Sequence, residues 1–258
     1  MRSCVPACLP TAALLTALLA PLPAAASEAP SDLVGTAYDR ESGKLLYTEQ
    51  HAFEYGPQGA PARDTVRYLR PDGSEIGRKV LDFRPSLYVP TFLTTLDNTG
   101  YQEGMRREDG RLAMLRRKDG DAQMESKSVD PEDCDAADAG FHPYVQANFD
   151  KVLADETVRF RFCAPGSLAS VKFRAERIDD AVIDGFEVVR VRVEVDSFLS
   201  WFVDPLVLSY NPQNRDLVQY EGISNVRNDE GKAYDVRITY PIRKAQAEAE
   251  DAPADDRG

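Results

Sequence analysis

Val158-Arg159-Phe160-Arg161-Phe162, Val171-Lys172-Phe173-Arg174-Ala175 and Val189-Arg190-Val191-Arg192-Val193-Glu194-Val195 decide the fold class. In each, apolar and charged residues alternate with a period of two. Successive side chains of a β-strand point to opposite faces, so each stretch buries one face and wets the other. Phe186 and Val188 fall on the opposite parity from residues 189–195, which predicts a bulge near 188 or a strand covered on both faces. Working outward, turn signals separate further strand-like runs. Glu41-Ser42-Gly43-Lys44 precedes residues 45–53, and Pro71-Asp72-Gly73 divides 65–70 from 76–83. Asp109-Gly110 and Asp119-Gly120 bracket 111–118. Asn211-Pro212-Gln213-Asn214 separates 206–210 from 217–221, and Asn228-Asp229-Glu230-Gly231 precedes 234–240. Asp or Asn followed by Gly suits a tight hairpin that needs positive φ. Hairpins in succession make a meander.

One stretch breaks the period. Phe141, Tyr144, Val145, Phe149, Val152 and Leu153 recur at spacings of three and four, which predicts one helix with Pro143 near its start. Residues 85–95 are expected to hold a shorter helical or irregular piece, and 197–203 another. The expected fold is mainly β (α+β): a curved antiparallel meander sheet or half-barrel of about ten strands, with one helix packed on its apolar face.

The chain has 258 residues, 43% hydrophobic and 29% charged, enough apolar content for one sizeable core. Its net charge of −12 argues against nucleic-acid partners. Residues 1–26 carry one early positive charge, Arg2, an uncharged apolar run over 9–22 and Ala24-Ala25-Ala26, the layout of a secretory signal peptide. The run is too short, and too broken by Pro21 and Pro23, for a membrane-spanning helix. The domain reading is therefore a signal peptide over 1–26, a single β-rich domain over 27–243 and a disordered acidic tail over 244–258. The expected location is the periplasm, soluble after cleavage and without a transmembrane anchor. Cys134 and Cys163 remain in the mature chain, and an even pair in an oxidising compartment predicts a disulfide. The alternative is a catalytic thiol. It would want a nearby His or a helix N-terminus, and neither Cys lies in a CxxC motif.

Catalytic motifs are mostly absent. There is no GxSxG elbow, HExxH pair, phosphate-cradling loop or dinucleotide fingerprint. His51 shares a strand face with Leu45, Tyr47 and Phe53 and reads as a partly buried, hydrogen-bonded residue rather than a general base. His142, beside Pro143, reads as part of a helix start. Asp130, Glu132, Asp133, Asp135 and Asp138 form an acidic group with the oxygen ligands to hold a hard cation such as calcium, but without EF-hand spacing it reads as a solvated loop. The expectation is no enzyme, no cofactor and no metal. Three features point to binding instead. Phe198-Leu199-Ser200-Trp201-Phe202-Val203, with the single Trp, is either a core plug or a ligand portal. Arg159, Arg161, Lys172, Arg174, Arg190 and Arg192 share the polar side of successive strands. They read as a solvated face paired with Glu176, Glu187 and Glu194, or as a stripe for an anionic partner. Tyr88-Val89-Pro90-Thr91-Phe92-Leu93 is an apolar connection suited to capping a sheet mouth.

Leu33-Val34-Gly35-Thr36-Ala37-Tyr38-Asp39, Tyr68-Leu69-Arg70-Pro71-Asp72-Gly73, Leu81-Asp82-Phe83, Val203-Asp204-Pro205-Leu206 and Tyr220-Glu221-Gly222-Ile223-Ser224-Asn225 carry a resemblance. With 158–162 they look like an uncharacterised family of exported proteins of Gram-negative proteobacteria, over most of residues 32–242. More distantly, the meander with a helix resembles the lipoprotein-carrier half-barrels of the LolA and LolB type. That resemblance implies an apolar concavity sheltering acyl chains beneath a helical lid, and it assigns no site residue here.

Three function classes follow. The first is a binding or carrier protein for a lipid, acyl chain or other apolar ligand, lined by Phe149, Val152, Trp201 and Phe202. The second is a structural or adaptor protein that recognises an envelope protein and has no small-molecule ligand. The third is an enzyme. A continuous apolar cavity favours the first, a densely packed interior the second, and a cleft around His51 with carboxylates the third. The binding class is the expectation.

Overall fold

The computed structural model describes residues 33–197 and 204–242. The chain runs through β1 (Leu33–Asp39), β2 (Leu45–Tyr55), β3 (Pro61–Leu69), β4 (Glu75–Asp82), β5 (Thr91–Leu96), β6 (Gln102–Glu108), β7 (Arg111–Arg117) and β8 (Glu125–Val129). A short strand β9 (Ala136–Ala137) leads into helices α1 (Phe141–Ala147) and α2 (Phe149–Leu153). Then come β10 (Val158–Ala164), β11 (Ala169–Ile183), β12 (Phe186–Val195), β13 (Leu206–Tyr210), β14 (Leu217–Arg227) and β15 (Ala233–Thr239).

These strands form one sheet in the order 8-7-6-5-4-3-2-1-15-14-13-12-11-10-9. Two meanders, β1 to β8 and β10 to β15, are joined where β1 pairs antiparallel with β15, Thr36 opposite Thr239. Among the described residues only β9 pairs in parallel, with β10.

The edges of the sheet, β8 and β9, are consecutive in sequence. Six residues, 130–135, connect them and span at most about 20 Å. The sheet must therefore curl until its two edges approach each other, giving an open, barrel-like wall. Three contacts hold the seam. The disulfide between Cys134 and Cys163 ties the connection to β10, with Cα atoms 5.5 Å apart, as the cysteine pattern predicts. The Ala137 N–H donates to the Tyr88 carbonyl ahead of β5 at 3.0 Å. The turn Pro165–Ser167 between β10 and β11 reaches β7, where Arg116 Nη1 donates to the Gly166 carbonyl at 3.1 Å.

The alternating stretches behave as the parity argument requires. Val158 and Phe160 are buried while Arg159 is exposed, and Val189, Val191 and Val193 are buried. The parity break near 188 is resolved by the partner strand. The β11–β12 register slips between Ile178 and Ala181, so the extra residue lies on β11 while Val188 and Val189 are both buried. The basic stripe exists as a row, with Arg159 opposite Arg174 and Arg161 opposite Lys172. Much of it is answered by acids. Arg174 binds Glu194, Arg159 lies 3.3 Å from Asp196, and Arg161 contacts Asp133 at 3.1 Å and Asp135 at 3.3 Å.

Two expectations need correction. The sheet has fifteen strands rather than about ten. β5 forms where an irregular piece was expected, β9 is only two residues long, and β8 (Glu-Ser-Lys-Ser-Val) is an edge strand too polar to show an apolar alternation. The single helix is two short ones. At Asn148 φ is −105° and ψ 12°, outside helical values, and its side-chain amide donates to the Tyr144 carbonyl at 3.0 Å. Val145, Phe149 and Val152 still face the core, but Leu153 is exposed.

Two apolar clusters fill the interior. One gathers Tyr47, Val66, Leu81, Met105 and Met114 from the first meander with Val236 from the last strand. The other packs Val145, Phe149 and Val152 against Val191, Leu208 and Tyr210. Each fully buried large apolar side chain contributes about 1.5–3 kcal/mol. Residues 1–26, expected to be a signal peptide, 244–258, expected to be a disordered tail, and 198–203, with Trp201 and Phe202, lie outside the described residues.

Candidate functional site

Inward-facing positions of β2 and β3 are not uniformly apolar. On β2 the inward parity carries Tyr47, Glu49 and His51, and on β3 it carries Asp64, Val66 and Tyr68. His51 pairs across the ladder with Val66, which makes Asp64 its diagonal neighbour. His51 Nδ1 lies 2.7 Å from Asp64 Oδ2, and Nε2 lies 3.4 Å from Glu49 Oε1. The Tyr240 hydroxyl, just past β15, donates to the same Glu49 oxygen at 2.5 Å. Gly35 on β1 makes room for that contact, since a Cβ there would sit 2.7 Å from Glu49 Cγ and 2.8 Å from Tyr240 Cε1.

A second buried ion pair stands beside the first. Lys79 on β4 is opposite Val66, and its Nζ donates to both oxygens of Asp138, at 2.7 and 2.8 Å. Asp138 follows β9 and adopts φ of +44°, a left-handed conformation that Asp tolerates better than most residues. The Ala139 N–H at 2.7 Å and Asn225 Nδ2 at 2.9 Å complete its carboxylate. The chain crossing that closes the seam thus also delivers a carboxylate to the interior.

Burial alone would lower the His51 pKa. Hydrogen bonds and charge from Asp64 and Glu49 override it and push the group up to about 9, so the ring is a cation at neutral pH. Burial would likewise raise Glu49, but His51, Tyr240 and Lys79 hold it below the usual carboxylate range. Lys79 is raised despite its burial because Asp138 faces it. Glu103 on β6 takes a hydrogen bond from Tyr101 at 2.8 Å and is raised, first by burial and then by the charge of Asp138.

Glu49, His51, Asp64, Lys79, Asp138 and Tyr240 line one side of a cavity of about 260 Å³ inside the curl of the sheet. The opposite side is apolar, built from Phe141, Phe160, Phe162, Phe173, Leu206 and Leu217. Phe160 and Phe173 stack with centroids 6.0 Å apart, and Phe141 stacks on Phe160 at 5.3 Å. Among the described residues, three buried polar atoms of the lining have no hydrogen-bond partner: Asp64 Oδ1, the Tyr210 hydroxyl and His142 Nδ1. The His142 and Tyr210 rings lie 5.7 Å apart and nearly parallel. Burial lowers His142 to about 4, so this second imidazole is neutral at pH 7.

Of the residues expected to line a binding site, Phe149 and Val152 are fully buried in the packed core and do not line this cavity. Phe149 meets Tyr210 edge to face at 5.7 Å, one layer behind the wall. Trp201 and Phe202 fall outside the described residues. The charged wall is what sequence reasoning missed. His51 was placed on the correct face, but Glu49 two residues before it, and Asp64 in phase with Val66 and Tyr68, were not. Charged residues on the apolar parity of two neighbouring strands were the available signal. Among the described residues no group of three or more His, Cys, Asp or Glu is arranged to hold a metal ion. In the acidic group, Asp130 pairs with Arg111, Asp133 and Asp135 with Arg161, and Asp138 with Lys79.

The fold and the site define a barrel-like β protein with an amphipathic interior cavity. No protein-family model matches the chain, and no curated protein matches its sequence. Among solved structures it is similar to a beta-barrel-like protein of a domain of unknown function, DUF1849, from Brucella abortus. The identity is 8% and the TM-score 0.45, over 82% of this chain and 97% of that one.

Proposed function

We propose that the protein is a binding protein, exported to the periplasm, that holds one small amphipathic molecule inside the sheet. The ligand's apolar body lies against Phe160, Phe162 and Phe173, and its polar end meets the Asp64–His51 wall. One observation carries the reading: a single cavity has an aromatic side and a charged side, and buried polar atoms on its lining are left unpartnered. Buried polar groups are almost always satisfied, so atoms without a partner among the described residues are places for a ligand or water to bond. The cavity volume of about 260 Å³ lies just below the about 300 Å³ at which drug-sized pockets begin. It suits a short chain rather than a phospholipid. An eight-carbon chain gains about 6 kcal/mol on leaving water, before the ordering cost of binding. Sheltering an apolar chain against a curved sheet is the logic the LolA and LolB resemblance implies, here on a smaller scale.

Carboxylates around His51 are also what an acid–base enzyme would use. Against that role, both ring nitrogens of His51 face carboxylates and the ring is held as a cation, so it supplies a fixed charge rather than a base.

Native mass spectrometry of protein purified from the periplasm, followed by solvent extraction and uptake of octanol, octanoate and octylamine, tests the reading. A bound species, or stoichiometric uptake that Val193→Phe abolishes by filling the cavity while circular dichroism is unchanged, is the expected result. A clean apo mass with no uptake of any of the three overturns it.

A further inference from the structure

We propose that the polar end of the ligand is a single positive charge, a protonated amine, held at Asp64. This rests on the cavity being a binding site and goes further by naming the chemical class. Three carboxylates, Glu49, Asp64 and Asp138, line the charged side against two cations, His51 and Lys79. Lys79 is spent on Asp138, whose oxygens also take the Ala139 N–H and Asn225 Nδ2. Glu49 has the Tyr240 hydroxyl and His51 Nε2. His51 Nδ1 reaches only one oxygen of Asp64. Asp64 is 2% exposed, and its Oδ1 has no donor among the described residues.

A carboxylate oxygen only accepts, so its missing partner is a donor. A hydroxyl supplies the hydrogen bond but leaves one negative charge on the wall uncompensated. An ammonium supplies both, and a charge-assisted bond is the stronger kind. A ligand carboxylate or phosphate would bring a like charge against Asp64 and Glu49 and is disfavoured. The class is therefore a primary amine carrying an apolar chain or ring small enough for the cavity.

Isothermal titration of the mature protein at pH 7 with octylamine, octyltrimethylammonium, octanol and octanoate tests this. Octylamine is expected to bind about tenfold or more tighter than octanol, with octanoate weakest. Octyltrimethylammonium, a cation without an N–H, falls between octylamine and octanol. Asp64→Asn, checked for folding by circular dichroism, loses the preference for the amine and keeps its affinity for octanol. Octanol or octanoate binding as tightly as octylamine overturns the amine assignment and leaves the cavity reading standing. No binding of any probe removes both. If Asp64→Asn does not fold, the ranking of the four probes on the unaltered protein decides.

Discussion

Replacing Lys79 by Met keeps the aliphatic stem and removes the ammonium that faces Asp138. In the native structure Nζ lies 2.7 Å from an Asp138 oxygen, and the two side chains are 10% and 3% exposed. Removing one partner of a buried pair costs about 3–5 kcal/mol, because the other charge is left in a poorly solvated place. Here the Ala139 N–H and Asn225 amide remain on Asp138. The lower end of the range, about 3 kcal/mol, is therefore expected. For a domain of this size that lowers Tm by about 6–12 °C, at about 2–4 °C per kcal/mol. Urea unfolding at pH 7, with the slope m unchanged, reads the loss directly. The double variant Lys79→Met/Asp138→Asn removes the stranded charge, keeps a residue that tolerates the positive φ at 138 and an acceptor for the Ala139 N–H, and is expected to recover most of the stability. A loss under about 1 kcal/mol for Lys79→Met, or a double variant no more stable than the single one, would refute the reasoning. The first outcome would mean that the pair reaches water in the native protein, the second that the cost does not come from the stranded charge.

The pH dependence follows from His51. Its folded pKa of about 9 lies above the ordinary 6.5, so its contribution is full below pH 6.5 and is lost as pH climbs toward 9. The loss is at most about 3 kcal/mol. The urea midpoint should fall across that window and His51→Gln should flatten the fall; a flat profile in the unaltered protein would contradict the paired imidazolium. The disulfide closes a loop with a sequence separation of 29. Its replacement by two serines should cost about 3–4 kcal/mol on the chain-entropy account. Peptide mapping without reductant should recover the residues linked, and free thiols in protein purified without reductant would end that assignment.

The sequence made the strands legible wherever one face was apolar and the other charged, as in β10, β11 and β12. It concealed those whose register is set by neighbours. β8 has almost no apolar parity, and β9 is held by its bond to Tyr88 and its pairing with β10, which no local pattern announces. The helix periodicity was real, but Asn148 turned its own side chain back on the Tyr144 carbonyl and divided it. The site was half legible. His51 on an apolar face and the parity of Glu49 and Asp64 lie in the sequence, whereas the meeting of Lys79 with Asp138 depends on how the chain crosses between the sheet edges. The aromatic wall likewise joins β10, β11, β13 and β14 with α1, and only the closed fold brings them together.

The pairing of β1 with β15 has a consequence for the entropy of assembly. Nearly every other strand contact links neighbours in sequence, so it closes a short loop as the chain doubles back. Joining Thr36 to Thr239 closes a loop of about 200 residues, which costs about 3 kcal/mol more than closing one of about five. That cost falls on a single ladder in the middle of the sheet, between two meanders that each zip locally. A chain that began at β9 and ended at β8, with its present ends linked, would turn that ladder into an ordinary connection between neighbours. The long closure would then pass to the seam, where the disulfide, with Cys134 in the segment that follows β8 and Cys163 on β10, would become the covalent tie across it.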